Sequence, residues 1–228
     1  MIENVIALDG PAGSGKSTIA RLLAKKLQNY YYVDSGALYR ALTYYLQQKS
    51  QASSQDQFSE FVKNLEETQL KEADIEIRFE REKPNSVFLK GRDISAVIRS
   101  PEITALIRPV ADSKLCREFV NLNLRALASQ NNLVMDGRDI GTIVFPESKF
   151  KFFLTASLEE RAKRRLQELE SVSGKMDFEQ IQKSIQMRDD DDSSREIAPL
   201  RKADDAISID TTQLNSESVL EEIFRYIS

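Results

Sequence analysis

The sequence predicts an α/β fold in which a mostly parallel sheet is covered by helices on both faces. Short apolar runs alternate along the chain with segments whose apolar residues recur at helical spacing, which is typical of such folds. The first apolar run meets a glycine-rich stretch at once, as a buried strand does when it enters a tight loop. At about residues 74–91 strict alternation replaces the helical spacing, which predicts an inserted antiparallel hairpin.

The elements are predicted from local periodicity. Residues 4–9 form a continuous apolar run and predict the first strand, and residues 17–27 predict a helix because their apolar residues share one face. Further strands are predicted at 30–36, 132–136, 149–156 and 205–210, and further helices at 37–49, 56–70, 102–130, 157–170, 178–188 and 216–227. Ser157 followed by Glu160 predicts a capping box at the start of one late helix.

The hairpin is predicted from both of its strands and from its turn. Ile75, Ile77 and Phe79 alternate with charged residues, and residues 86–91 alternate again. Lys-Pro-Asn at 83–85 is typical of a turn. The region therefore predicts a half-exposed antiparallel lobe within a helical stretch.

The composition narrows the possible functions. The net charge of −4 argues against a general binder of nucleic acid polymers, and the chain has no histidine, which rules out Ser-His-Asp and Cys-His catalysis. Any metal must therefore be held by oxygen ligands. The single cysteine indicates a reducing compartment, and no run approaches the roughly 20 apolar residues of a membrane helix. We expect a cytoplasmic protein with no membrane partner.

The glycine-rich stretch matches the phosphate-binding pattern G-x-x-x-x-G-K-[ST]. The residues concerned are Gly10, Pro11, Ala12, Gly13, Ser14, Gly15, Lys16, Ser17 and Thr18. Backbone N–H groups close around phosphate oxygens there, and Cβ atoms would obstruct that approach. Lys16 offers a cation to the β- and γ-phosphates, and the Ser17 hydroxyl is placed for Mg²⁺. The motif predicts ATP as a ligand and the three-layer sandwich of the phosphate-loop NTPases.

Several classes of protein share the phosphate-binding loop, and each class can be identified by its other sequence motifs. The chain has no N/T-K-x-D guanine motif and no L-S-G-G-Q transporter signature. A short chain with an insertion after the second strand and an arginine-rich helix late in the sequence suits a kinase of small metabolites.

Six segments together resemble the bacterial cytidylate kinase family, in order and at similar spacing. They are IALDGPAGSGKST, VDSGALYR, MDGRDIGTIVFP, ERAKRR, RDDDDSSREIAPL and ADDAISIDTT, and they cover essentially the whole chain. The resemblance implies transfer of the γ-phosphoryl of ATP to CMP or dCMP, with Mg²⁺. It also implies one kinase domain with a core at about 1–36, 131–156 and 196–228, a substrate lobe at about 37–130 and a lid at about 157–195.

The resemblance implies the following residue roles. Ser35, Arg40, Arg138 and Arg195 bind the CMP phosphate, Arg188 and Asp192 contact the sugar, and Asp139 and Arg117 read the cytosine. Lys16, Arg138, Arg188 and Arg195 form the catalytic set of cations. Asp136 lies near Mg²⁺ with Ser17. Arg161, Arg164 and Arg165 lie on the lid helix, where one of the three contacts ATP, and Arg161 and Arg165, which share a helix face, are the two placed in the ATP site.

The residues alone leave simpler alternatives open. Arg40 and Arg117 suit a surface charge as well, and Asp136 suits a cap at a strand end. The arginines at 161–165 suit a solvated face paired with neighbouring glutamates. Arg108 stands where the family commonly has a serine that helps recognise the base, which leaves the preference for CMP over UMP open.

The first three residues of the acidic run, 189–191, are expected to be a solvated stretch that breaks the helix before it. A metal site is not favoured, because the glycine and closing glutamate of an EF-hand loop are missing. We expect Asp189, Asp190 and Asp191 to neutralise the nearby arginines in part while the site is empty, and only Asp192 to contact the nucleotide.

The sequence therefore predicts an ATP-dependent CMP or dCMP kinase that acts as a monomer. Two alternatives remain at this point. One is another small-molecule phosphate-loop kinase, for UMP for example, and the other is an inactive nucleotide-binding regulator.

Overall fold

The computed structural model describes residues 2–79, 85–173 and 177–227, with the side chains of residues 170–173 excepted. Contacts divide the chain into two compact units. The first unit consists of Met1–Tyr30 with Asn132–Ser228, and the second of Tyr31–Asn131. Among the described residues, no helix combines the length and the apolar character that crossing a membrane would require.

The strands and helices alternate in the order that the periodicity predicts. The strands are β1 (Ile2–Asp9), β2 (Tyr30–Asp34), β3 (Ile75–Arg78), β4 (Ser86–Leu89), β5 (Arg92–Asp93), β6 (Asn132–Gly137), β7 (Ser148–Thr155) and β8 (Ile207–Asp210). The α-helices are α1 (Lys16–Leu27), α2 (Ser35–Ser50), α3 (Gln55–Lys63), α4 (Glu67–Lys71), α5 (Pro101–Asp112), α6 (Lys114–Ala128), α7 (Leu158–Ser173), α8 (Phe178–Ser194) and α9 (Ser216–Ile227). A 3₁₀-helix spans Val97–Arg99, and a π-helix spans Ile140–Val144.

The main sheet has five strands in the order β2-β6-β1-β7-β8. Strand β1 pairs in parallel with β6 and with β7, and β7 pairs in parallel with β8. The central strand β1 is buried from Val5 to Asp9, which explains its unbroken apolar run. The predicted α/β fold with a mostly parallel sheet is confirmed.

The carboxyl ends of β1 and β6 lie side by side. In this register Leu8 is opposite Asp136, and Asp9 is opposite Gly137. The phosphate loop follows β1, and the Gly137–Asp139 turn follows β6. Because both strands point the same way, the sheet places the two segments together at one edge.

The second unit contains the predicted antiparallel insert. Strands β3 and β4 form the hairpin, with Ile75 opposite Leu89 and Ile77 opposite Val87. The strand β5, which was not predicted, adds to β4. The predicted turn at Lys83 and Pro84 lies outside the described residues.

Two long helical predictions are divided in the structure. The stretch predicted at 102–130 forms α5 and α6, which are separated at Ser113. The Ser113 hydroxyl accepts the N–H of Cys116 at 3.4 Å and so caps α6, because serine competes for backbone donors at a helix start. The stretch predicted at 56–70 likewise forms the two helices α3 and α4.

The helical pair α7 and α8 corrects one prediction. The Ser157 hydroxyl accepts the Glu160 N–H at 3.2 Å, which matches the backbone half of the predicted capping box. Helix α8, however, continues through all four aspartates to Ser194, so the prediction that they break it is wrong. Ile181 and Ile185 of α8 pack with Ala162 of α7, and this packing outweighs the poor helix propensity of aspartate.

Candidate active site

The phosphate loop joins β1 to α1 in the first unit. Gly10 has a φ of +147°, and a Cβ atom placed on it would lie 2.0 Å from the carbonyl oxygen of Leu154 in β7. No side chain fits in that space, so the loop can only turn here at a glycine. Helix α1 begins directly after the loop, at Lys16, and has no side-chain cap, so its first backbone N–H groups favour an anion there.

Lys16 lies buried in the loop that it is expected to serve. Its Nζ donates to the Pro11 carbonyl at 2.6 Å and to the Ser14 hydroxyl at 3.3 Å. Burial lowers the pKa of Lys16 well below its usual range, and the charge of Arg138 lowers it further, while Asp136 and Asp9 oppose the change. A bound polyphosphate would supply the negative charge that favours the protonated amine.

Ser17 and Asp136 come together across the two neighbouring strand ends. The Ser17 hydroxyl donates to Asp136 Oδ2 at 2.6 Å. Both groups are hard oxygen donors, which Mg²⁺ prefers, and Mg²⁺ usually binds one or two protein groups together with water and substrate phosphates. In the described part of the chain, no group of three or more acidic or cysteine side chains could hold a metal. The pair therefore fits a magnesium ion that is shared with a nucleotide.

Asp192 joins two of the predicted CMP-binding arginines. Arg138 Nε donates to Asp192 Oδ2, and Arg195 Nη2 pairs with Asp192 Oδ1, each at 2.7 Å. Burial alone would raise the pKa of Asp192, but Arg138, Arg195 and the more distant Arg188 outweigh it and hold the pKa below its usual value. The two arginines are thereby fixed in neighbouring positions by a single carboxylate.

Arg188 lies on the exposed side of α8. Its charge contributes to lowering the pKa of both Lys16 and Asp192, so the guanidinium is part of the same electrostatic neighbourhood. The four cations of the predicted catalytic set therefore belong to the first unit, and two of them, Arg138 and Arg188, lower the pKa of Lys16.

The turn after β6 is a π-helix, a form that is common at functional sites. Asp139 immediately precedes it and is buried, and its backbone carbonyl accepts the N–H groups of Ile143 and Val144. Asp9, at the end of β1, accepts the N–H of Ile140 at 2.9 Å and of Gly141 at 2.7 Å. The Asp9 carboxylate thus ties the first turn of the π-helix to the strand that leads into the phosphate loop.

Burial raises the pKa of Asp9 to about 6. The N–H groups of Gly141 and Ile140 oppose this rise, the Asp139 carboxylate adds to it, and Lys16 opposes it. Asp9 was not proposed as a site residue from the sequence. Asp9 nevertheless has the same sequence feature that identified Asp136, which is an acidic residue at the end of a buried apolar strand.

The arginines of α7 have three different environments. Arg161 is buried, and it donates from Nε to the Ala156 carbonyl at 3.0 Å and from Nη1 to the Ala12 carbonyl at 2.9 Å. Arg165 is half exposed and pairs with Glu168 at 2.9 Å, as the alternative of a solvated face predicts. The shared face predicted for Arg161 and Arg165 therefore does not give them a shared environment.

Arg164, one of the three arginines of the predicted lid helix but not one of the two placed in the ATP site, lies close to the phosphate loop. Its Nη1 donates to the Thr211 hydroxyl at 3.0 Å and its Nη2 to the Thr211 carbonyl at 2.6 Å. The Thr211 hydroxyl in turn bonds to the Ser14 carbonyl at 3.2 Å. Helical spacing could not choose Arg164 over Arg165, since the choice depends on where the segment after β8 lies.

The remaining predicted CMP residues belong to the second unit. Ser35 is buried at the start of α2, and Arg40 pairs with Asp34 at 2.5 Å. Arg117 is buried in α6, donates to the Ala111 carbonyl at 2.7 Å and lies 5.4 Å from the centre of the Tyr39 ring. The alternative that Arg117 is a surface charge is therefore wrong.

Arg108 occupies a different environment from Arg117. Its side chain is 62% exposed on α5 and lies 3.7 Å from the carboxylate of Asp112, one helical turn away. A pair of this kind between exposed charges contributes little to stability.

A phosphate loop, a Ser–Asp pair suited to Mg²⁺ and a cluster of arginines beside them define a nucleotide-dependent phosphotransferase of the phosphate-loop class. The cytidylate kinase family model matches residues 6–228. The chain belongs to the cytidylate kinase family.

Curated relatives agree with this assignment. The chain is 44% identical to a cytidylate kinase of Bacillus cereus (strain ATCC 10987 / NRS 248) over 98% of this chain and 95% of the relative. It is 45% identical to a cytidylate kinase of Bacillus anthracis (strain CDC 684 / NRRL 3495) over 96% of this chain and 93% of the relative. Among solved structures, the chain aligns over its full length with the full chain in the crystal structure of TT1252 from Thermus thermophilus. The two chains are 19% identical in sequence, and the TM-score is 0.49. The protein is an ATP-dependent nucleoside monophosphate kinase, as the sequence predicts.

Proposed function

We propose that the protein transfers the γ-phosphoryl group of ATP to CMP or dCMP by in-line displacement, without a general base. The observation that carries the proposal is the Ser17–Asp136 pair at 2.6 Å beside the buried Lys16. These groups lie at the edge of the sheet where the phosphate loop begins, and they would hold a magnesium ion that neutralises charge on the phosphates of ATP.

The chemistry needs positive charge more than a base. The second pKa of a phosphate monoester is about 6, so the attacking oxygen of a nucleoside monophosphate is mostly deprotonated at pH 7. The protein must instead hold two polyanions in line and stabilise the charge that spreads over the transferred group. Lys16, Arg138, Arg188 and Arg195 are the cations that we assign to this task.

Mg²⁺, when bound between Ser17 and Asp136, would supply further charge stabilisation and orient the phosphates of ATP. The protein's own part is to hold the Ser17 hydroxyl and the Asp136 carboxylate in place from two adjacent elements. Residues 10–18 would surround the ATP phosphates and bind them through Lys16 and through the backbone N–H groups of the loop, apart from Pro11, which has none, and Ala12, whose N–H bonds to Asp189. One of Arg161, Arg164 and Arg165 would contact ATP from the lid, and the contact of Arg164 with Thr211, which bonds to Ser14, favours Arg164.

We assign the acceptor nucleotide to eight residues on the strength of the family resemblance. Ser35, Arg40, Arg138 and Arg195 would bind the phosphate, Arg188 and Asp192 the sugar, and Arg117 and Asp139 the base. Cytosine presents an amino donor that suits the Asp139 carboxylate, and ring acceptors that suit the Arg117 guanidinium. Before CMP binds, Asp192 would hold Arg138 and Arg195 in position.

The same proposal includes the division into core, substrate lobe and lid, and a monomer that acts in the cytoplasm. Closure of the lid formed by α7 and α8 would exclude water and suppress hydrolysis of ATP.

A coupled assay of ADP release with CMP, dCMP, UMP and AMP tests the function. We expect CMP and dCMP to be the best acceptors, and Lys16→Met to lower kcat by at least about 100-fold because the phosphates lose their buried cation. If UMP or AMP exceeds CMP in kcat/KM, the assignment of the acceptor is wrong. Circular dichroism of the Lys16→Met protein controls for loss of fold.

A further inference from the structure

Asp189 contacts the phosphate loop from the lid. Its Oδ1 accepts the backbone N–H of Ala12 at 3.0 Å, although the two residues are 177 positions apart. Its Oδ2 forms a buried ion pair with Nη1 of Arg161 in α7. A residue of the acidic run that was expected to be solvated therefore connects α8, α7 and the phosphate loop.

Arg161 and Asp189 bond to each other and both bond to the backbone of Ala12. The Nη1 of Arg161 donates to the Ala12 carbonyl at 2.9 Å, so the N–H and the C=O of the same loop residue are both held by lid side chains. A Cβ atom on the next residue, Gly13, would lie 3.0 Å from the Cβ of Arg161. The close approach of α7 to the loop thus depends on that glycine, and it brings the guanidinium to Ala12.

The simpler explanation is that the Arg161–Asp189 ion pair only stabilises the fold, but the position of the pair indicates an additional role. Burying two charges costs free energy that a pair of apolar side chains would avoid, so a buried pair is weak evidence for a stabilising role alone. Here both partners also bond to the backbone of the loop that binds the ATP phosphates. The pair therefore controls the conformation of a loop whose N–H groups must be aimed accurately.

Helix α8 has a second carboxylate, Asp192, that also holds arginine side chains in position. Asp192 is three residues beyond Asp189, so both lie on the same side of the helix. Asp189 faces the phosphate loop and Arg161, whereas Asp192 holds Arg138 and Arg195. One helix thus connects the donor loop with arginines assigned to the acceptor.

We propose that Asp189 is a positioning residue for ATP: through the Ala12 N–H and Arg161 it holds the phosphate loop and the lid helices in a fixed relation. The inference rests on the assignment of the phosphate loop to ATP. Without the carboxylate, the loop would sample other conformations, and ATP would bind with lower affinity while binding of CMP would change little.

Steady-state kinetics of Asp189→Asn tests the proposal. Asparagine keeps an oxygen that can accept the Ala12 N–H but removes the charge that holds Arg161. We expect KM for ATP to rise by about tenfold, the effect of one charge-assisted hydrogen bond, with KM for CMP within twofold of the wild type. Titration calorimetry with ATP alone should show a matching loss of affinity.

Asp190→Asn is the matched control, because Asp190 is the neighbouring acid of the same helix, is exposed and bonds to Gln186 at 2.7 Å. Its kinetics should equal those of the wild type. Arg161→Lys, which keeps a charge but not the fork that reaches Ala12 and Asp189, should raise KM for ATP as Asp189→Asn does. If Asp189→Asn does not fold, Asp189→Glu decides the question by the same criterion, because it keeps the charge but changes the length of the side chain that joins Ala12 and Arg161.

The proposal is overturned if KM for ATP is unchanged in Asp189→Asn. It is equally overturned if the parameters for ATP and CMP worsen by the same factor in step with a lower Tm, because that pattern marks a merely structural pair. The wild-type assay with CMP tests the proposed function separately, and ATP titration of the Asp189 variant is informative even if CMP is not the acceptor.

Discussion

Asp9 and Asp192 show how the same side chain behaves differently in two buried settings. Asp192 lies between arginines, and its pKa is held below the usual value. Asp9 is buried among backbone N–H groups and near another carboxylate, and its pKa rises to about 6. The difference follows from the nearest full charges, since burial raises the pKa of both.

The raised pKa of Asp9 predicts a pH dependence of stability. The folded protein keeps the Asp9 proton up to about pH 6, whereas an unfolded chain releases it near 3.8. Stability from this group is therefore fully present below the unfolded pKa and is lost as the pH rises through the folded one. Relative to Asp9→Asn, the wild type should lose at most about 3 kcal/mol between pH 4 and pH 7.

Urea unfolding of the wild type and of Asp9→Asn, measured at intervals between pH 4 and pH 7.5, checks this prediction. The comparison cancels the contribution of Asp192, whose lowered pKa acts in the opposite direction at low pH. Parallel stability curves for the two proteins would contradict it.

At the scale of elements, the ends of β1 and β7 are packed against each other through a glycine. A Cβ atom on Gly10 would lie 2.0 Å from the Leu154 carbonyl oxygen, which belongs to the backbone and cannot move aside as a flexible side chain would. The junction between β1 and the phosphate loop therefore requires a residue without a Cβ atom at position 10.

Gly10→Ala should destabilise the protein by about 3 kcal/mol or more, because the substitution combines a backbone clash with an unfavourable φ. Gly91→Ala is the matched control: Gly91 has a φ of +76°, but a Cβ atom there meets nothing within 4 Å. The control should cost only about 1 kcal/mol, from the backbone conformation alone. Equal losses in urea unfolding would show that the packing of β7 against the loop is not tight.

At the scale of the whole molecule, an acidic protein carries a strongly basic site. The net charge is −4, yet Lys16, Arg138, Arg188 and Arg195 all belong to the first unit, where Arg138 and Arg188 lower the pKa of Lys16. Anionic nucleotides should relieve the repulsion among these cations and stabilise the fold by mass action.

ATP with Mg²⁺ at 100 times its Kd should stabilise the protein by about 2.7 kcal/mol, which for a chain of this size raises Tm by about 5–10 °C. CMP should do so independently. Differential scanning fluorimetry of Lys16→Met provides the control, because that variant should lose most of the ATP shift and keep the CMP shift. An ATP shift of full size in Lys16→Met would show that the nucleotide binds elsewhere.

The sequence alone determined what depends on local spacing. The glycines of the phosphate loop, the alternation of strands and helices, the hairpin at β3 and β4 and the Ser157 cap were all predicted because each is encoded within a few neighbouring residues. The family resemblance then supplied the candidate CMP residues, which contacts within the chain do not test.

Only the tertiary structure decided which charges meet. Asp189 joins the phosphate loop, Arg164 approaches it in place of Arg165, and Asp9 holds the π-helix, through contacts between residues 47 to 177 positions apart. Asp189 was expected to be solvated and to help break the helix because aspartate is a poor helix former, but packing of α8 against α7 and the buried partner Arg161 outweigh that local preference. Asp190 is exposed, as expected. Propensity acts over one helical turn, whereas ion pairing depends on how distant segments are brought together.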